Sequence, residues 1–201
     1  REAQQANQDN IFLNKLRNRK KVSDIHNSTP ADVNIPVNIL KQTLHRYDKN
    51  IFIQNLLNRV DYPFKKQDIE NIISFYYLGT IVKGGRAGAI TFPFINKDGK
   101  IKAIQVKEFD NENHTKATDF LHSMVERFYK KKNAPLPKWL KSYLNNEKKI
   151  SCMFGEHLLN KYPQNPVVLV EAPKSAIYGT LYFGFPESKN DFIWLAVYNL
   201  S

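Results

Sequence analysis

Between Pro166 and Val197 the sequence alternates in a way that few folds accommodate. Pro166-Val-Val-Leu-Val170 is an apolar run, Lys174 to Phe183 has a helical pattern, and Phe192-Ile-Trp-Leu-Ala-Val197 is a second apolar run. Strand, helix and strand within about thirty residues make a βαβ unit, which requires a parallel pair and a right-handed crossover. Parallel strands are normally covered on both faces. The expected fold class is therefore α/β, with 167–170 and 192–197 adjacent, parallel and buried.

The residues before this unit follow other periods. Val37 to Val60 places Ile39, Leu40 and Leu44, then Ile51, Phe52, Leu56, Leu57 and Val60, at helical spacing, which predicts two short helices. Lys65 to Tyr77 predicts a third, with Ile69, Ile72, Ile73 and Tyr76 on one face. Ala89–Ile95, the turn Asn96-Lys-Asp-Gly99 and Lys100–Lys107 then read as a β-hairpin, with Asp-Gly as the turn signal. Pro93 marks an edge strand or a bulge. By period 2, Ile101, Ala103, Gln105 and Lys107 share one face of the second strand, and Lys100, Lys102, Ile104 and Val106 the other. Residues 112–149 are less regular: Phe120 to Tyr129 reads as helical, and Pro135 and Pro137 interrupt. Phe154 to Asn160 reads as a short helix. The expected organisation is a basic leader or linker over 1–35, an α+β front subdomain over 36–150 and the βαβ segment over 151–201. Within the leader, Ile11-Phe12-Leu13 with Leu16 suggests one helical turn ahead of the basic run Arg17–Lys21.

Charge is unevenly placed along the 201 residues. Thirty Lys and Arg face nineteen Asp and Glu, a formal +11, and the excess lies upstream of Ser151, where the balance is +12. A surface this basic suits an anionic polymer, because each neutralised phosphate releases counterions; a Lys-rich solubilising surface is the competing explanation. No apolar stretch is long enough for a membrane span, the polar start Arg1–Asn10 has no secretory h-region, and the single Cys152 excludes a disulfide framework. A cytoplasmic location is the expectation. Arg1 at the start, and the apolar run ending close to Ser201, read as a fragment.

Glu171 directly follows the first apolar strand and precedes Pro173, which suits the first position of a helix. Ligand and catalytic groups collect at the carboxyl ends of strands in open α/β sheets. A carboxylate there can bind Mg²⁺ or act as a general acid/base; position alone favours the plainer reading, a structural group stabilised by the helix dipole.

Val170-Glu-Ala-Pro-Lys-Ser-Ala176 after an apolar strand resembles the first toprim motif of bacterial primases and topoisomerases. Three upstream segments resemble primase segments in the same order: Ile90-Thr-Phe-Pro-Phe-Ile-Asn-Lys-Asp-Gly-Lys-Ile101, Tyr143-Leu-Asn145, and Phe154-Gly-Glu-His-Leu-Leu159. About residues 75–197 also resemble uncharacterised toprim-containing proteins of bacterial mobile elements. The chain departs from the pattern at Ala172, where a glycine is usual, and at Tyr198-Asn-Leu200, where a glycine-containing turn is common. The Asp-x-Asp of the third toprim strand would lie beyond Ser201.

The resemblance implies a truncated primase-like nucleotidyltransferase core of a mobile element or phage-type replicon, making RNA primers on single-stranded DNA. It implies Glu171 as metal ligand or acid/base, with Mg²⁺ expected for the complete site and weak or absent in the fragment. It implies Lys83, Arg86, Lys107 and Lys174 as holders of template phosphates and nucleoside triphosphates, and a replicative helicase as a partner. A non-catalytic single-strand-binding module is the rival, and a toprim nuclease a third option. Trp139, Tyr143 and Lys130-Lys-Lys132 suit either a strand-stacking clamp or a packed helix with a charged outer face. His114, His122 and His157 lack metal-ligand spacing, and Cys152 reads as a small core residue.

Overall fold

The computed structural model describes residues 33–61, 64–145 and 152–197. The leader turn at Ile11–Leu16 and its basic run lie outside the described residues. Val33 onward forms one compact unit. Ile35, placed in the leader by the sequence, is buried in that unit and pairs with Ile101.

The front of this unit holds α1 (Val37–Lys41), a 3-10 turn (Tyr47–Lys49), α2 (Ile51–Asn58) and α3 (Lys66–Tyr76). Asn50 starts α2: its side-chain oxygen accepts from the Ile53 amide at 3.2 Å, which satisfies one of the amides a helix start leaves open. Its amide nitrogen donates to the Gly79 carbonyl and the Thr80 hydroxyl, fixing the helix to the sheet. In α3, Ile69, Ile72, Ile73 and Tyr76 form the buried stripe the sequence predicts.

Four antiparallel strands follow in the order β1 (Gly79–Thr80), β2 (Ile90–Ile95), β3 (Ile101–Phe109) and β4 (Thr115–Phe120). The β2–β3 hairpin turns where Asp98-Gly99 predicts, with Gly99 at φ 76°. Both readings of Pro93 apply. β1 reaches only Ile90 and Thr91, so at Pro93 the strand pairs with β3 alone, through Ile104, and has no strand on its β1 side; the ladder shifts just beyond it between Phe94 and Ile95. That shift skips Lys102 and moves Ile101 into the core with Ile104 and Val106, correcting the face assignment made by strict alternation. The strand β4 has no counterpart in the sequence pattern, because Thr-Lys-Ala-Thr-Asp-Phe lacks apolar alternation; pairing with β3 creates it.

The sheet is covered on both faces. One core joins Phe92, Phe94, Ala103 and Phe109 to α2, α3 and the C-terminal βαβ unit; the other joins Ile104 and Val106 to α1, α4 (Leu121–Lys131) and α5 (Lys138–Asn145). Two-sided cover explains why every residue of β2 is buried.

The C-terminal unit is α6 (Leu158–Lys161), β5 (Val167–Val170), α7 (Pro173–Phe183) and β6 (Ile193–Ala196). β5 and β6 pair in parallel, Val167 with Ile193 through Val170 with Ala196, as the βαβ pattern requires. The fold is thus α/β, with an antiparallel front sheet and a small parallel sheet. The expected burial of β5 is corrected: Val167 and Leu169, which share one face of the strand, are exposed, and only the opposite face, with Val168 and Val170, is partly buried. Gly179 lets α7 lie directly on β6, since a Cβ there would sit 2.3 Å from the Trp194 ring.

Candidate functional site

Glu171 stands at the carboxyl end of β5, exposed, at the bend before α7. Pro173 occupies the start of α7, so Lys174 projects from the first turn. The strand β3 brings Lys107 to the same place: its ammonium is half-buried and feels the charges of both Lys174 and Glu171. Burial lowers the Lys107 pKa below the ordinary lysine range, the Lys174 charge lowers it further, and Glu171 opposes both. Two cations and one carboxylate therefore share one corner, with Lys107 brought there from a distant part of the sequence.

A buried amide network fixes Lys174. Its ammonium donates to the Asn113 carbonyl at 2.9 Å and lies 5.8 Å from the centre of the Phe109 ring. Asn113 is itself buried, in the left-handed region at φ 60°. Its side-chain oxygen accepts from the Asn55 amide at 2.7 Å, and its side-chain nitrogen donates to the Tyr178 hydroxyl at 3.1 Å. The Asn55 amide also donates to the Asp110 carbonyl at 2.8 Å. The turn 110–113 is thus tied to α2 and α7 together. Asp110 accepts from the backbone amides of His114 and Glu112, which lowers the pKa of its carboxyl. None of Asn55, Asn113 and Tyr178 stands out in the sequence; the available signal is the run Asp110-Asn-Glu-Asn113, since Asn tolerates left-handed turn positions.

Lys83 and Arg86 are not part of this corner. Arg86 binds Glu108 at 2.7 Å. Glu108 follows Lys107 directly on β3, and successive strand residues face opposite sides of a sheet. Lys83 and Arg86 line a cleft of about 1100 Å³ on that opposite side, walled also by α4, α5 and the end of α1 with the residues that follow it. The four cations that the resemblance groups together are therefore divided by the sheet, Lys107 and Lys174 with Glu171, Lys83 and Arg86 elsewhere.

The remaining candidates resolve individually. Trp139 lines the cleft, whereas Tyr143 is buried and donates to the Lys102 carbonyl at 2.6 Å. Lys130 pairs with Glu126 and Lys132 lies over the Phe128 ring, so only Lys131 of that run lines the cleft. Burial raises the Cys152 thiol pKa to about 12, well above the range of a nucleophilic thiolate. His114 lies beside Asp110 and Glu112, His122 against Tyr143, and the Nε2 of His157 is 3.0 Å from the Phe75 carbonyl oxygen.

A family model matches residues 50–201, from the start of α2 through the βαβ unit. The chain belongs to the DUF6371 family. DUF6371 is described as a domain of unknown function, so membership brings no activity, substrate or partner with it. No curated protein and no solved structure matches the chain. The DUF6371 region contains the whole Lys107–Glu171–Lys174 corner, together with the Asn55–Asn113 network behind it.

Mg²⁺ is the cofactor that the resemblance implies at Glu171. Among the described residues no group of three or more His, Cys, Asp or Glu is placed to hold a metal ion. A single exposed carboxylate beside two ammonium groups does not fit a divalent cation, which needs several oxygen ligands. These residues do suit an anion.

Proposed function

We propose that this DUF6371 chain holds single-stranded nucleic acid, or the phosphates of a nucleotide, at the Lys107–Lys174 corner, as the phosphate-binding part of a primase-like nucleotidyltransferase. The observation that carries this is the convergence of Lys107, Lys174 and Glu171 at the carboxyl end of a parallel strand. Lys174 is held by a carbonyl acceptor rather than by a carboxylate. Its charge is therefore not cancelled by that contact. Lys107 has lost part of its hydration, so a phosphate oxygen between the two ammoniums would restore what burial removed. Glu171 repels the same phosphate weakly from the rim; in nucleotidyl transfer its part would be acid/base. The upstream charge of +12 draws a polyanion to the protein over a longer range.

The reading is tested by titrating a fluorescent oligothymidylate with the protein at several salt concentrations. Binding is expected, with log affinity falling linearly in log salt by about 0.7 for each phosphate contact. Salt-insensitive binding, or none at low salt, contradicts a phosphate-holding corner. Double-stranded DNA of matching length serves as the comparison for strand preference.

A further inference from the structure

The cleft on the other side of the sheet has a different character. Its wall is formed by one stripe of α4, Leu121, Met124, Val125 and Phe128, together with Trp139 of α5. The four α4 positions follow i, i+3, i+4 and i+7, the spacing of a helix face that packs against another element. The fold leaves that face unfinished: of the eleven residues of α4 only Leu121 is buried, and Phe128 is 53% exposed. The volume of about 1100 Å³ is at the upper limit of small-molecule pockets, and an elongated occupant uses such a space better than a compact one.

Charge selects among elongated occupants. Lys83, Arg86, Arg127 and Lys131 line the cleft, against the single acid Asp119. Asp119 is bound by Arg127, and Arg86 by Glu108. Lys83 and Lys131 have no carboxylate within ion-pair distance among the described residues. A strip of aliphatic, methionine and aromatic side chains between cations is complementary to an amphipathic helix with an acidic polar face. Methionine lends such grooves adaptability, because its flexible thioether repacks around different side chains. The basic segment Arg17–Lys21 of this chain has the wrong sign to fill it.

We infer that the cleft between α4, α5 and the 83–86 turn is a docking groove for an acidic amphipathic helix of a partner protein. Apolar side chains of that helix would complete the Leu121–Met124–Val125–Phe128 stripe by ridge-into-groove packing. Its carboxylates would meet Lys83 and Lys131 at the rim. The groove and the Lys107–Lys174 corner lie on opposite sides of the front sheet, so both can be occupied at once. Docking here does not depend on the proposed nucleic-acid function.

The test uses labelled helical peptides about 18 residues long, with leucines at i, i+3, i+4 and i+7 and glutamates elsewhere. One control scrambles the same composition to break the stripe, and a second replaces the glutamates with lysines. The acidic amphipathic peptide is expected to bind at least about tenfold tighter than either control. Phe128→Ala and Lys131→Glu, both at exposed positions that leave folding intact, are each expected to weaken it about fivefold or more. Oligothymidylate binding by the same variants is expected to stay within about twofold of the parent. Equal binding of the scrambled peptide would reduce the effect to net charge and overturn the inference. Loss of oligothymidylate binding in Phe128→Ala would instead assign the groove to nucleic acid, and also overturn it.

Discussion

Phe154→Ala is expected to destabilise the protein by about 3–5 kcal/mol, the range for removing a large buried aromatic. The ring is fully buried and stacks on Tyr76 with centroids 4.8 Å apart, while Phe92 and Phe94 present edges at 5.7 and 6.1 Å. Its backbone exchanges two hydrogen bonds with Ala196, at 2.9 and 3.0 Å, so the same residue extends the small parallel sheet and fills the core beside the large antiparallel one. Tyr76 completes the joint: its hydroxyl donates to the Trp194 carbonyl at 2.8 Å and lies 2.9 Å from the Thr180 hydroxyl. Removing the Phe154 ring leaves a cavity among residues that secondary structure already fixes, so little relaxation is available. A change of this size takes a large share of the roughly 5–15 kcal/mol that holds most domains folded. Chemical denaturation should show the midpoint falling in one cooperative transition for both sheets. A shift worth less than about 1 kcal/mol, or two separate transitions, would mean that the front subdomain and the βαβ unit do not share a core.

The second large effect concerns binding. Lys107→Glu combined with Lys174→Glu is expected to weaken oligothymidylate binding about a hundredfold or more. A hydrogen bond from an ammonium to phosphate contributes about 1.5–3 kcal/mol, and the introduced carboxylates repel the phosphates besides. Lys83→Glu, in the opposite cleft, is expected to cost about threefold or less through net charge alone. The half-buried setting of Lys107 makes reversal a risk to folding, so Lys107→Met with Lys174→Met provides a milder pair. That pair should lower the salt slope by about 1.4, the value for two phosphates of a single strand, with an unchanged far-ultraviolet spectrum. Equal weakening by Lys83→Glu and by the corner variants would mean that binding follows overall charge and not this site.

How much of this is legible in the sequence depends on whether local chemistry or tertiary pairing decides each element. The hairpin at Asp98-Gly99, the α3 stripe, Pro173 at the start of α7 and the parallel β5–β6 pair all carry local signals, and each forms where those signals place it. The strand β4 and the shift at Phe94–Ile95 carry none, because the first depends on the edge of β3 and the second on packing of Ile101. At the site, Glu171 and Lys174 are three residues apart, and one local motif contains both. Lys107 stands out only through its place beside the hairpin, and its arrival next to them is a tertiary event. The alternation along β3 already separates Lys107 from its neighbour Glu108, yet it says nothing about the partner of Glu108. Arg86 therefore falls into the wrong company. Asn55 and Asn113 escape notice because an asparagine in sequence reads as a turn or surface residue, and only burial shows that its hydrogen bonds organise a site.

The most direct test of where nucleic acid lies is photocrosslinking. An oligonucleotide carrying photoreactive bromodeoxyuridine is bound to the parent protein at low salt and irradiated, and the crosslinked peptides are identified by mass spectrometry. The corner predicts adducts within residues 105–119 and 171–182, where Phe109 and Tyr178 stand next to Lys174, and their disappearance in the Lys107→Met, Lys174→Met pair. Adducts concentrated instead in residues 121–139, along α4 and Trp139, would contradict the account and move the nucleic acid to the opposite side of the sheet.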